Sequence, residues 1–499
     1  MKVFPWLSVV TFAPLIGAAV LAVMPRGRDA LYRWVALVAS VLTFVVALGM
    51  LGAYDEGVRG FQLIERATWV ESLNLRYSMG LDGISLFMVL LTAFLMPLAI
   101  LASWKIDRSV RYFMIAMLVL ETAMVGSFLA LDLLLFFVFF EALLFPMYLI
   151  IGGWGGERRI YAALKFFLFT MAGSAFLLVA ILFLYFRSDP NTFDLVELQG
   201  LALPAVTARW LFLAFFVAFA VKVPLFPLHT WLPDAHTEAP TAGSVILAAV
   251  LLKIGAYGLI RFNLTLFPDA SRYFRVFVMV LAVIGIVYGA LLALSQRDIK
   301  RLVAYSSVSH LGFVVLGIFA FTAEGMTGGV IQMVNHGLST GAMFLLVGML
   351  YERTHTRDMD ALGGLGTVTP VLAGFLLVVA LSSLALPGLN GFVGEFLVFV
   401  GSFPVHQALT VVATTGVVLS AVYLLWSFQR IMHGPPRENV RHPDLSLREY
   451  AILVPIVAAI VFIGVYPKPL LERIEPSVVE TADIVRQTGD GTVLGQEAP

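Results

Sequence analysis

The sequence predicts an all-α polytopic membrane protein with about fourteen transmembrane helices. Apolar runs near the roughly 20 residues needed to cross a bilayer core recur along the whole 499-residue chain. The composition is 60% hydrophobic and 13% charged, with a mean hydropathy of +0.93, outside the range of ordinary soluble domains. Proline and glycine interrupt two of the runs at corresponding depths, a device of transport proteins whose ion sites lie at broken helices.

The spans fall near residues 4–24, 30–53, 80–104, 111–130, 133–153, 164–187, 209–232, 241–262, 274–295, 299–321, 327–351, 371–403, 407–431 and 449–466. The first follows Lys2 and could mimic a signal peptide. A second span follows at once and the pattern repeats, so an uncleaved first helix is expected. Span 371–403 is too long for one straight helix and contains Pro387, Gly388, Gly391 and Gly394. It is expected to break and re-form. Span 209–232 is expected to break at Pro224, Pro227 and Pro233, because proline removes a backbone donor and frees a carbonyl one turn earlier.

Pro224 and Pro387 are 163 residues apart. Spans 4–8 and 9–13 then read as two five-helix blocks, and an odd helix count makes their orientations opposite. The expected organisation is a three-helix segment (1–110), a first repeat (111–262), an inverted second repeat (274–431), and a last helix with its tail (432–499). Lys and Arg in and beside alternate loops number 18 on one side and 12 on the other. The richer side should face the cytoplasm and both termini the opposite side.

The balance of 32 basic and 32 acidic residues gives no electrostatic support for a nucleic-acid partner. With no Cys, the chain has no thiolate, iron–sulfur or disulfide chemistry. It shows no haem or dinucleotide fingerprint, and Gly363, Gly364 and Gly366 read as a turn. No cofactor is expected on this chain. No metal is expected either, because the two histidines of HTWLPDAH are seven residues apart and share no helix face.

The chemistry lies in ionisable residues at membrane depth, where a charge costs about 3 kcal/mol or more unless it pairs, meets water or moves protons. Glu141 is near the middle of span 5; its alternative reading is a neutral, hydrogen-bonded acid. Lys222 precedes Pro224 by two residues, where a broken helix admits polar partners; a structural pair with Glu141 is the bland alternative. Lys253 has no acid one turn away and needs a partner from another helix. Glu395 follows the PGLNGFVG break and could accept a proton or merely cap the re-formed helix. His229 in the first break, and His310 and His336 in spans 10 and 11, suit proton relays, although lone buried histidines are commonly structural. Glu121 could couple to an adjacent subunit or pair locally. Asp132 is expected at the interface, Asp234 and His236 are expected to face water, and Arg158, Arg159 and Lys165 read as cytoplasmic anchors.

With these residues in place, the motifs GLDGISLF (80–87), GGWGGERRIYAALKFFLFTMAGS (152–174), VKVPLFPLHTWLPDAHTEAPTAGSVILAAVLLK (221–253), RLVAYSSVSHLGF (301–313) and ALPGLNGFVGEF (385–396) resemble the antiporter-like membrane subunits of bacterial respiratory complex I. PLHTWLPDAHTEAPT marks the wider family, which includes multisubunit cation/proton antiporters. WGGERRIYAALKFF and an acid at 395, where sister subunits usually carry lysine, resemble the M type. So does the short chain of some 33 residues after the last span, with no long lateral helix.

The resemblance implies a proton-translocating subunit of an NADH:quinone oxidoreductase in the bacterial inner membrane, partnered by L- and N-type subunits. NADH, FMN, iron–sulfur clusters and quinone would be bound by other subunits. It implies a proton path through Glu141, Lys222, Lys253 and Glu395, a polar axis through His229, His310 and His336, and a neighbour-facing Glu121. Cation/proton antiport, and a passive scaffold between pumping neighbours, are the competing expectations.

Overall fold

A computed structural model describes residues 4–435 and 443–487. Lys2, Arg437 and Arg441, which enter the loop-charge count, lie outside the described residues, as does the tail beyond 487. The described chain has thirteen helices long and apolar enough to cross a membrane. They are α1 (Trp6–Val23), α2 (Asp29–Gly52), α3 (Gly83–Ala102), α4 (Val110–Leu129), α5 (Leu133–Trp154), α6 (Arg159–Arg187), α7 (Ala205–Lys222), α8 (Thr241–Leu264), α9 (Pro268–Leu294), α10 (Ile299–Ile318), α11 (Ala323–Thr354), then α14 (Gln407–Met432) and α15 (Leu447–Val465). Two shorter apolar helices, α12 (Pro370–Ser383) and α13 (Asn390–Ser402), fill the remaining predicted span. The all-α membrane fold and the break near Pro387 are therefore borne out. Gly388 sits in the break at φ +93°, a conformation side chains disfavour.

Loop contacts sort the connections into two faces. Arg33 Nη2 donates to the Ile106 carbonyl at 2.7 Å, Lys105 pairs with Glu352 at 2.7 Å, and Arg357 pairs with Asp298 at 3.3 Å. The Arg158 amide donates to Glu238 at 2.9 Å, and Arg357 Nη1 donates to the Thr237 carbonyl in the α7 break at 2.6 Å. These contacts join the loops after α1, α3, α5, the α7 break, α9 and α11 on one face, here the basic face. On the opposite face Arg76 pairs with Glu197 at 2.8 Å, Arg275 Nη2 donates to the Ala320 carbonyl at 2.6 Å, and Thr322 Oγ1 donates to the Gly401 carbonyl at 3.0 Å. That alternation is what fourteen crossings require.

Two elements were not expected from the apolar pattern. A β-hairpin, β1 (Gln62–Val70) and β2 (Leu75–Leu81), pairs antiparallel with Ala67 opposite Tyr77 and lies on the opposite face. Its Glu65 accepts from the Leu7 and Ser8 amides at 2.7 and 3.0 Å, satisfying donors at the start of α1. A final amphipathic helix, α16 (Lys468–Gln487), buries Ile474, Val478, Ala482 and Val485 along one stripe. It lies on the same face, where Ser477 Oγ accepts from the Gly83 amide at 3.0 Å.

Candidate proton axis

Proline positions the first group of ionisable residues. In α5, Pro146 has no amide to offer the Ala142 carbonyl, and the helix is interrupted at Leu143, two residues after Glu141. In α7, Pro224 leaves the Ala220 carbonyl free; the Leu225 amide takes it at 2.9 Å instead. The displaced Val221 carbonyl accepts from the Trp231 indole at 2.9 Å. Lys222 is thereby the last residue of α7, followed by turns and the short helix Trp231–Glu238. The predicted break of this span is present.

Glu141 and Lys222 are not in direct contact. No nitrogen–oxygen distance between them is within 4.0 Å, and neither Lys222 Nζ nor the buried Glu141 Oε1 has a hydrogen-bond partner. Lys222 Nζ instead stands over the Phe140 ring at 4.9 Å and the Phe166 ring at 5.7 Å, a cation–π setting. The two charges still interact through space. The structural-pair reading is corrected to a separated pair, with Lys222 held against aromatic rings.

The second group is contiguous. α8 is buried from residue 242 onward and widens into π-helical turns at Leu247–Leu251 and Leu259–Leu264. Such turns expose carbonyls and recur at functional sites. Lys253 Nζ donates to the Ala248 carbonyl at 2.5 Å and lies 2.6 Å from His336 Nδ1 on α11. The expectation that Lys253 takes its partner from another helix is met. The His336 and His310 rings are 5.8 Å apart. His310 Nδ1 is 3.1 Å from Glu395 Oε1, and its Nε2 is 3.4 Å from the Tyr423 hydroxyl. Gln332 Nε2 also donates to Glu395 Oε1 at 3.1 Å. A polar cavity of about 10 Å³, the size of one water, touches His310, Gln332, Asn335 and His336. Lys253, His336, His310 and Glu395 thus form one buried row across α8, α11, α10 and α13. Glu395 is the sixth residue of α13 and does not cap it.

The α12–α13 break is fastened to this row. Asn335 Nδ2 donates to the Asn390 carbonyl at 2.7 Å and Asn390 Nδ2 returns to the Asn335 carbonyl at 3.2 Å. Ser382 Oγ donates to Asn390 Oδ1 at 2.5 Å and lies 2.6 Å from Ser339 Oγ. Gln332, Asn335, His336 and Ser339 recur at helical spacing, a polar stripe in span 11 that could have revealed these residues from sequence.

Other expectations need correction. Glu121 is 0% exposed, so it does not face a neighbour across the chain's surface, and neither of its oxygens has a hydrogen-bond partner. Glu141, by contrast, is only partly buried, next to exposed Ala142 and Phe145. His236 does not face water: it is fully buried and stacked on Phe344, with ring centroids 4.7 Å apart, and both Lys253 and Lys300 act on it electrostatically. Asp234 is bound by Lys165 at 2.7 Å, so Lys165 is a partner to the α7 break rather than a free anchor. Asp132 is buried and caps α5, accepting from the Leu134 and Leu135 amides at 3.0 Å. His229 lies in the break against the Phe226 and Tyr288 rings, and no hydrogen bond or ring contact joins it to the Lys253–Glu395 row.

Lys300, counted only as a loop charge, is also buried, and its Nζ donates to the Ala239 carbonyl at 2.5 Å. It lines an open cleft of about 420 Å³ on the basic face, with Arg158, Glu238 and Arg357. Lys300 thus touches both the cleft and, electrostatically, His236, on which Lys253 also acts.

Comparison with known proteins assigns this architecture. The profile described as NADH:quinone oxidoreductase/Mrp antiporter, TM matches residues 130–420, more than half of the chain. The chain belongs to the NADH:quinone oxidoreductase/Mrp antiporter membrane family. A second profile of the family, NADH-ubiquinone oxidoreductase chain 4, amino terminus, matches residues 58–127. Among relatives, NADH-quinone oxidoreductase subunit M of Rhodobacter capsulatus is 47% identical over 491 residues, covering 95% of each chain. The subunit M of Rickettsia prowazekii is 42% identical, covering 96% of this chain and 99% of its own. A chain of respiratory complex I from Thermus thermophilus superposes with TM-score 0.89 at 33% identity, covering 96% of this chain and 99% of that one. A chain of the Mrp complex from Dietzia shares the fold at TM-score 0.85 and 20% identity. The M-type resemblance read from the family's motifs is borne out.

Proposed function

We propose that the chain is a proton-translocating subunit of a bacterial NADH:quinone oxidoreductase, set in the inner membrane beside L- and N-type neighbours. Electron transfer, with its flavin, iron–sulfur clusters and quinone, takes place on other subunits. The basic face is cytoplasmic and both termini lie on the other side. Residues 111–262 and 274–431 act as inverted halves, one carrying the Lys222 break and the other the Glu395 break.

The observation that carries this reading is the buried row Lys253–His336–His310–Glu395, which links the first half to the second with two direct contacts and one short gap. Each member can hold or release a proton, and each lies within hydrogen-bond reach, or one water, of the next. In the proposed cycle a change of charge in a neighbouring subunit acts on the partly buried Glu141. The separated Glu141–Lys222 pair then closes or opens, and Lys222 keeps or releases its proton accordingly. The released proton passes toward Lys253 and along the row to Glu395. Reloading comes from the cytoplasmic side, where the cleft at Lys300 leads toward His236.

Lys222→Ala in the assembled complex, reconstituted in proteoliposomes, tests this. Loss of proton uptake per electron together with slowed quinone reduction is expected. Unchanged yield and rate in an assembled variant would refute the proposal.

A further inference from the structure

Beyond Lys253, α8 continues as a second polar stripe that the row does not use. Tyr257 and Arg261 follow at intervals of four, so the three side chains share one face, with Arg261 about 12 Å along the axis from Lys253. The Tyr257 hydroxyl donates to the Phe128 carbonyl at 2.8 Å. Arg261 Nε donates to the Tyr257 hydroxyl at 3.1 Å, and Nη2 donates to Asp82 Oδ2 at 2.5 Å. Asp82 is fixed in turn: its Oδ1 accepts from the Ser85 amide at 2.9 Å and the Ser85 hydroxyl at 2.8 Å, capping α3. The Phe61 and Tyr257 rings flank the guanidinium at 4.7 and 5.2 Å. Both charged side chains are buried, 6% and 5% exposed. The pair stands between Lys253 and the face that carries the hairpin and α16.

We propose that the Arg261–Asp82 pair is a proton seal. It closes the direct route from Lys253 along α8 to this face and leaves His336 as the way onward. A guanidinium does not give up its proton inside a protein, so no proton is handed through it. Its fixed charge also repels a protonated water in a site of low dielectric, as charged barriers do in selective pores. Asp82 compensates that charge and holds it in place. A buried ion pair gives little net stability over an apolar substitute, so its position on the Lys253 stripe is better explained by a barrier than by folding energy. The inference rests on the proposed role of Lys253 as a proton carrier.

The test uses the whole complex in proteoliposomes. The double variant Arg261→Gln with Asp82→Asn keeps a polar side chain at both positions, with two N–H donors on Gln in place of the guanidinium's five, and removes both charges. Passive decay of an imposed pH gradient, without NADH and with the quinone reaction inhibited, should quicken about tenfold, equivalent to about 1.4 kcal/mol of barrier. Electron transfer should stay at the parent rate while protons moved per electron fall. Arg261→Lys, which keeps the charge but can lose its proton, should leak to an intermediate degree and serves alone if the double variant does not assemble. Adding Lys253→Met to the leaking variant should restore the parent decay. Parent-level decay in either assembled Arg261 variant, or a leak that persists without Lys253, overturns the seal. If Lys253→Met in the parent chain leaves the proton yield intact, the proposed function fails instead, whatever the leak.

Discussion

Glu141→Gln isolates the charge of a single mid-membrane acid. The amide matches the carboxylate in size, so packing around the α5 interruption is kept and only the interaction with Lys222 is removed. The nitrogen–oxygen separation exceeds 4.0 Å. At that distance, with an effective dielectric near 20, the attraction is at most about 4 kcal/mol. Lys222 Nζ has no hydrogen bond to compensate and keeps only the Phe140 and Phe166 rings at 4.9 and 5.7 Å. A step that depends on the charged pair can therefore slow by up to about a thousandfold. The assay is proton uptake per electron and NADH:quinone turnover of the reconstituted complex, with assembly and melting temperature as controls. Proton yield and coupled turnover should both drop while assembly and melting stay at parent values, and Glu141→Asp should retain most activity. Parent yield and turnover in the Gln variant would refute the reasoning.

Other perturbations separate transport from stability. Glu395→Gln still offers Gln332 an acceptor and should assemble normally with reduced proton yield, whereas Glu395→Ala strands His310 Nδ1 and Gln332 Nε2 and should cost about 2–5 kcal/mol, visible as a lower melting temperature. Arg353 on α11 holds Glu449 on α15 through two bonds at 2.7 and 2.9 Å, with side chains 9% and 4% exposed; Arg353→Met should destabilise by about 3–5 kcal/mol, measured by thermal unfolding in detergent. Burial pushes the Asp132 carboxyl up to about 6, against the pull of the Leu135, Arg76 and Leu134 amides and with a smaller push from Asp194. The folded state therefore binds more protons than the unfolded state between about pH 4 and 6, and stability should fall by up to about 3 kcal/mol as pH rises through that window. Asp132→Asn should flatten that slope in melting curves taken from pH 4 to 7, and an unchanged slope would contradict the assignment.

Depth was legible in the sequence and direction was not. Hydropathy located every crossing because apolar length is a one-dimensional signal, and Pro224 and Pro387 located the breaks because a missing amide acts locally. Where a side chain points around its helix depends on packing against other helices. Glu121 and Glu141 were both placed at depth, yet Glu121 is sealed inside and Glu141 reaches the surface. Lys300 and His236 sit near span ends, where charge normally meets water, and only the fold around the α7 break buries them. The hairpin leaves no mark on the hydropathy pattern because QLIERATWV lies in a connection between strong apolar runs. Helix α16 leaves none either, because its apolar stripe is periodic rather than continuous. Lys253 and Glu395 stand out in the sequence as charges costly in lipid, and His310 and His336 as groups suited to relay protons. Their alignment into one row required tertiary structure.

The central claim is that protons cross this chain through its buried polar axis. Its most direct test is the number of protons moved per electron by proteoliposomes of the complex carrying Lys222→Met, Lys253→Met and Glu395→Gln together. The account predicts an assembled complex with a lowered ratio. An assembled complex that moves the parent number of protons per electron would contradict it.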